Sequence, residues 1–289
     1  MKDKVASIQA RLKNFSRKTG LDFVLTLRLY MQEGLLRRLS HSAYNHSFCL
    51  KGGLLLLSIS GFTGRPTQDI NLLGTHIPGD DEYLRKIMTD ILTNEINDGL
   101  IFKTETIKFE DLTEGAEYHG KRMKVSCYLG NMNTNLKVDF GFGDTVYPAP
   151  VEMDYPELLN QGGFLIYSYP LEAVIAEKFD AMIALDTSNS RMKDFYDVYK
   201  ILKEQDVSNS SLAESIKQTL RTRGTVLPEN PAIFSDEFKS DSRNLGLWQA
   251  FLRRMKAEEI DFPVVLTEIK KHIEPIYRTL LKPKMSDFT

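Results

Sequence analysis

The chain has 289 residues, 42% hydrophobic and 26% charged, with a formal net charge of -2. That balance fits one large or two ordinary globular domains with a real core, and it excludes a global basic field, so any contact with RNA needs a local patch. Only two cysteines, Cys49 and Cys127, lie far apart among apolar neighbours, which excludes a disulfide framework and points to inert buried thiols in a reducing cytoplasm.

Val5, Ile8, Leu12 and Phe15 repeat at helical spacing and predict a first helix stopped by Gly20. Phe23, Leu27, Tyr30, Met31 and Leu35 predict a second, reaching about Leu39. His41 to Ser47 is polar and turn-like. Phe48-Cys-Leu-Lys-Gly-Gly-Leu-Leu-Leu-Leu then reads as a short strand, a double glycine and an apolar helical turn or two. Gly64-Arg-Pro-Thr-Gln-Asp-Ile-Asn-Leu-Leu reads as a loop and a second strand that carries an acid. Asp80 to Asn97 returns to a helical period, and Ile101 to Phe109 alternates as a strand does. Arg122 to Leu129 and Asn135 to Phe142 are two more predicted strands, joined by a hairpin-like turn at Gly130-Asn-Met-Asn-Thr.

The character changes near Pro170. Helices are predicted for Leu171 to Leu185, Lys193 to Lys203, Ser211 to Thr222, Arg243 to Lys256 and Val264 to Leu281, with a loop at Pro228 to Pro231 and fraying from Lys282. The expected class is α+β: a mixed-sheet domain with N-terminal helices over residues 1–168, then a helical bundle over residues 169–289. No secretory leader is visible, and the longest uninterrupted aliphatic run, Leu54 to Leu57, is too short to span a bilayer.

Several positions carry candidate chemistry. At Lys51-Gly52-Gly53 the glycines let backbone N–H groups approach a phosphate at a helix N-terminus, or they simply turn a strand into a helix. Asp69 and Asn71 share a strand face, with Ile70 and Leu72 on the other, so two oxygen donors stand side by side after Arg65 and Thr67. Magnesium takes hard oxygens, one or two carboxylates with waters and phosphates; a solvated turn is the alternative. Asp139 faces away from Val138 and Phe140, either as a metal carboxylate that also takes a proton or as a salt-bridged strand acid. Lys178 either reaches a phosphate or snorkels from its helix. Asp194 and Asp197 suit a helix N-terminus, and Arg191 and Lys193 are candidates to face a nucleotide. The late basic clusters, Arg221 and Arg223, Arg253, Arg254 and Lys256, and Lys270 and Lys271, read as solvated faces. The histidines lack metal-ligand spacing, a structural zinc site is excluded, and no P-loop is present.

Taken together, Lys51-Gly-Gly, Arg65-x-Thr-x-Asp-x-Asn, Lys137-Val-Asp-Phe-Gly-Phe-Gly-Asp, Ala176-Glu-Lys and Arg191-x-Lys-Asp-Phe-Tyr-Asp resemble the AbiEii family, in that family's order. The resemblance implies the toxin of an abortive-infection toxin–antitoxin system with a nucleotidyltransferase fold, a cognate antitoxin, and transfer from a nucleoside triphosphate to tRNA with magnesium. It implies that Asp69 is the first acid of an acid–x–acid pair, Asp139 the separate strand acid, Lys178 a triphosphate ligand and Asp194 the acid of the last motif. Asn71 departs from the pattern, where an aspartate is expected. One less charge beside a divalent ion weakens metal binding. Three readings follow: an active nucleotidyltransferase, a nucleotide-binding protein of the same fold with degenerate catalysis that acts by interaction, or a structural helical-bundle protein whose motif matches are chance.

Overall fold

The computed structural model describes residues 2–113 and 119–281. The expected fraying from Lys282 lies outside the described residues. The chain divides into two compact units, Met1–Gly143 with Val151–Ser168, and Asp144–Pro150 with Tyr169–Thr289.

The first unit opens with helices α1 (Lys2–Thr19) and α2 (Phe23–Ser40). Asp22 caps α2 by accepting the Leu25 N–H. Then come β1 (Phe48–Lys51), α3 (Gly52–Ile59), β2 (Asp69–Gly74), α4 (Asp81–Leu92), β3 (Leu100–Thr113), β4 (His119–Leu129), β5 (Met132–Phe142), β6 (Val151–Asp154) and β7 (Leu165–Ser168). The strands form one seven-stranded mixed sheet in the order β3-β4-β5-β2-β1-β7-β6. β2 runs parallel to β5 and β1 parallel to β7, while the other pairs are antiparallel. Period-two alternation buries Ile70, Leu72, Met123, Val125, Leu136, Val138 and Phe140, and leaves the opposite face of β3 to β5 polar.

Helix α2 is buried from Thr26 to Leu39 apart from Arg28, and it carries charges inside. Arg38 pairs with Asp98 at 2.6 Å and so fixes the entry to β3. Arg37 reaches Glu33 at 2.5 Å and Glu157 at 2.6 Å, and donates to Gln161 at 2.9 Å. One guanidinium therefore serves two carboxylates and ties α2 to the segment between β6 and β7. Burial pushes the Glu33 carboxyl up to about 7, against the Leu158 N–H and Arg37, which pull it down.

The second unit is helical: α5 (Leu171–Leu185), α6 (Met192–Glu204), α7 (Asn209–Thr222), α8 (Asp236–Ser240), α9 (Ser242–Met255) and α10 (Phe262–Leu280). α5 packs on α7 and α6, and α6 packs on α10. Phe195, Phe238, Trp248 and Phe262 pack at tilted and edge-on angles into one aromatic core, in which the Trp248 indole donates to the Ile260 carbonyl at 2.6 Å.

Several elements differ from expectation. α4 stops at Leu92 rather than Asn97, where the Thr93 N–H turns back to the Thr89 and Ile91 carbonyls. The hairpin turn is only Gly130-Asn131, with Gly130 at φ 64, so β5 starts at Met132 rather than Asn135. The four-residue strands β6 and β7 were not expected.

A carboxyl whose value is raised on folding adds stability at low pH and loses that contribution as pH rises through the raised value. Glu33 should therefore weaken the fold as pH climbs from its ordinary value toward about 7 and beyond. In thermal melts from pH 5 to pH 8, Glu33→Gln should show a smaller decline than the wild type; parallel declines would mean that Glu33 is not the responsible group.

Candidate active site

Strand register gathers the polar residues of the first unit into rows. Lys51 pairs with Asn71 across β1 and β2, Asn71 with Asp139 across β2 and β5, Asp139 with Arg122 across β5 and β4, and Arg122 with Glu110 across β4 and β3. Neighbouring strands lie about 4.8 Å apart, so these side chains stand shoulder to shoulder. The next row runs Lys108, Lys124, Lys137 and then Asp69. Lys124 is held by Glu110 at 2.5 Å.

The double glycine sits at the end of this array. Gly52 has φ 70, and a Cβ there would lie 3.0 Å from Asn71 Nδ2. A Cβ on Gly53 would lie 3.0 Å from Thr67 Oγ1 and 3.2 Å from Arg65 Nη2. Position 52 thus suits glycine for its left-handed backbone, and at both positions a side chain would crowd the neighbours named. They bring Gly52 against Asn71, and Gly53 against Thr67 and Arg65, at the N-terminus of α3. From behind the sheet, fully buried Gln32 donates to the Gln68 carbonyl at 2.9 Å and steadies the backbone just before Asp69.

Asp69 and Asp139 differ in their surroundings. Arg122 donates to both oxygens of Asp139, Nε to Oδ1 and Nη2 to Oδ2, each at 2.7 Å. The same Nη2 is 3.9 Å from Asp69 Oδ2. The hydrogen bond to Asp139 raises the Arg122 guanidinium above its usual range. Asp69 Oδ1 is buried with no hydrogen-bond partner. Among the described residues, no group of three or more His, Cys, Asp or Glu side chains could hold a metal ion. Arg122 escaped the sequence reading because the longer expected turn misaligns β4 with β5. A two-residue turn at Gly130-Asn131 sets Arg122 opposite Asp139.

In the second unit, Lys178 lies 2.7 Å from Asp194 and 2.8 Å from Asp197, and Arg191 is 2.7 Å from Asp194. The Lys178 side chain is 11% exposed and the two acids 2% and 3%, so it does not snorkel, and the acids do more than flank a helix start. Burial works to raise Asp194, but Lys178 and Arg191 outweigh it and hold the carboxyl below its usual range. Lys193 is exposed. Arg223 is not on a solvated face: it contacts Asp144 at 3.3 Å and Glu177 and Asp180 at 3.0 Å each. Cys49 and Cys127 are both buried and in no disulfide with each other, and burial pushes the Cys127 thiol up.

Lys178→Met would leave two buried carboxylates short of their cation, at a cost of about 3 kcal/mol or more. Denaturant melts should show that loss, with Lys178→Arg recovering part of it. An unchanged midpoint would mean that the lysine is not part of the fold's support.

The described residues contain no helix long and apolar enough to cross a membrane. No curated protein matches the chain. Two solved structures from Helicobacter pylori share its fold. One is described as a candidate nucleotidyltransferase; it has a TM-score of 0.51 and 13% identity, over 86% of this chain and 93% of that one. The other, JHP933, has a TM-score of 0.50 and 12% identity, over 89% and 93%. The family described as nucleotidyl transferase AbiEii toxin, type IV toxin–antitoxin system, matches residues 34–273. That span takes in every strand of the sheet and most of the helical unit, so the chain belongs to the AbiEii nucleotidyl transferase toxin family.

Proposed function

We propose that this chain is a cytoplasmic toxin that transfers a nucleoside monophosphate from a nucleoside triphosphate to an acceptor hydroxyl on tRNA, with magnesium as cofactor and a cognate antitoxin as partner. The observation that carries this reading is the row in which Asn71 and Asp139 pair, with Asp69 beside them and the Gly52-Gly53 turn against Asn71. The basic row Lys108, Lys124 and Lys137, ending at Asp69, supports a polyanionic acceptor in a chain whose total charge is negative.

The donors fit a magnesium ion because Asp69 Oδ1 is a buried oxygen without a partner and the Asn71 amide stands beside it. Bound there, the ion would neutralise charge on the triphosphate and the departing pyrophosphate. The backbone N–H groups at Gly52 and Gly53, with Arg65, Thr67 and Lys51, steady the phosphates. Asp139, aligned by Arg122, accepts the hydrogen bond of the acceptor hydroxyl and its proton as the oxygen attacks the α-phosphorus. The bond from that phosphorus to the bridging oxygen breaks, and pyrophosphate leaves. Positioning and electrostatics carry the rate, as elsewhere in phosphoryl transfer. Lys178 as a triphosphate ligand, Asp194 as its motif acid, and Arg191 and Lys193 toward the nucleotide belong to the same proposal. So do a catalytic domain over residues 1–168 and a helical domain over residues 169–289.

Incubation with magnesium, total tRNA and each α-labelled triphosphate tests it. Label should pass to RNA, and Asp69→Ala should lower transfer at least about 100-fold while melting normally. Unchanged turnover in that variant would remove Asp69 from the site.

The alternative, a nucleotide-binding protein with degenerate catalysis, is favoured by Asn71 and by the hold of Arg122 on Asp139. Magnesium titration separates the two: the enzyme gains nucleotide affinity steeply with magnesium, the binding module little. Asn71→Asp sets two carboxylates opposite each other, which costs about 0.5–1 kcal/mol without a cation. Its melting temperature should fall without magnesium and recover with it, and transfer should rise. A loss of stability that magnesium does not repair would make Asn71 structural.

A further inference from the structure

Two-ion phosphoryl-transfer sites hold their ions with clustered carboxylates, and each lost carboxylate weakens the case for a second ion. On this sheet face the triad of positions is Asp69, Asn71 and Asp139, which supplies two negative charges rather than three. One of the two is already matched. Arg122 forms two parallel hydrogen bonds of 2.7 Å to Asp139, and its Nη2 also lies 3.9 Å from Asp69 Oδ2. A guanidinium remains charged at any working pH, and its fork matches a carboxylate in both bonds. A divalent ion approaching Asp139 would have to break both bonds and then sit beside the cation it displaced. Asp69 Oδ1 faces no such competitor, being buried without a partner.

We infer that Arg122 takes the place of one of the two cations, so that the site binds a single divalent ion, at Asp69, with Arg122 as the fixed positive charge at Asp139. This rests on the nucleotidyltransferase reading above and deepens it. Asn71 then ceases to be an isolated defect. The missing negative charge at Asn71 on β2 and the positive charge of Arg122 on β4 act in the same direction, one on each side of Asp139 in a single row. An aspartate at that position would be needed to hold a second ion; an amide suffices beside one.

The test is ion stoichiometry, read by manganese electron paramagnetic resonance on the full chain with a non-hydrolysable nucleoside triphosphate. The wild type should bind one Mn2+ per chain in the presence of nucleotide, and Asp69→Asn should lose it. Arg122→Gln frees Asp139 and should admit a second ion, binding at least about tenfold more tightly than any second ion on the wild type. Arg122→Lys should stay at one. Two ions on the nucleotide-bound wild type would overturn this inference while leaving the nucleotidyltransferase reading standing. So would a folded Arg122→Gln that still binds only one, because Arg122 would then be a sheet ion pair. If no nucleotide-dependent Mn2+ binds to the wild type, both readings fall. Should Arg122→Gln fail to fold, Arg122→Met, which keeps the length of the side chain without its charge, is counted in its place.

Discussion

The parallel pairing of β2 with β5 sets Asn71 directly opposite Asp139, and the chemistry of the sheet hangs on that register. A slip of one residue would turn Asp69, Asn71 and Asp139 into the core and expose Ile70, Leu72 and Val138. The buried face therefore enforces the polar one. The antiparallel hairpin of β4 and β5 adds Arg122 to the row, and β1 adds Lys51, so charge alternates along it from Glu110 to the neutral Asn71. Behind the sheet, α2 is locked by Arg37 and Arg38, and its Gln32 passes that rigidity to the backbone before Asp69.

Both units place arginine or lysine among carboxylates inside the protein, and the physics is the same in each. A buried ion pair is weak evidence for stability as a whole, because desolvation offsets its attraction, but losing one partner leaves a costly bare charge. Lys178 between Asp194 and Asp197, and Arg223 among Asp144, Glu177 and Asp180, are arrangements of that kind. Loss of activity at Lys178 alone would not identify a phosphate ligand. Its stability has to be measured beside it.

Much of this was legible in the sequence because the relevant patterns are local. Alternation around Asp69 and Asp139, the glycine at position 52 and the helical stripes after Pro170 each follow from a short window. What was not legible depended on partners distant in sequence. A lysine beside an apolar helical face looks like a snorkelling side chain until Asp194 and Asp197, spaced to share one face of α6, are brought to it. Arg223 looked solvated for the same reason. Arg122 was hidden by the turn: five residues were expected between the strands where two occur, and the difference changes which residues of β4 oppose Asp139. α4 ran on in expectation because no glycine or proline interrupts the sequence from Asp81 until Gly99. β6 and β7 are too short for alternation to speak, and they gain their place by pairing, β7 with β1 and β6 with β7.

The most direct measurement is a crystal of the chain grown with Mn2+ and a non-hydrolysable nucleoside triphosphate, with anomalous scattering used to locate the ion. A manganese peak at coordinating distance from Asp69 Oδ1, with the phosphates along the Gly52-Gly53 turn, is the expected result. A nucleotide bound away from that turn, or an ion that does not touch Asp69, would contradict it.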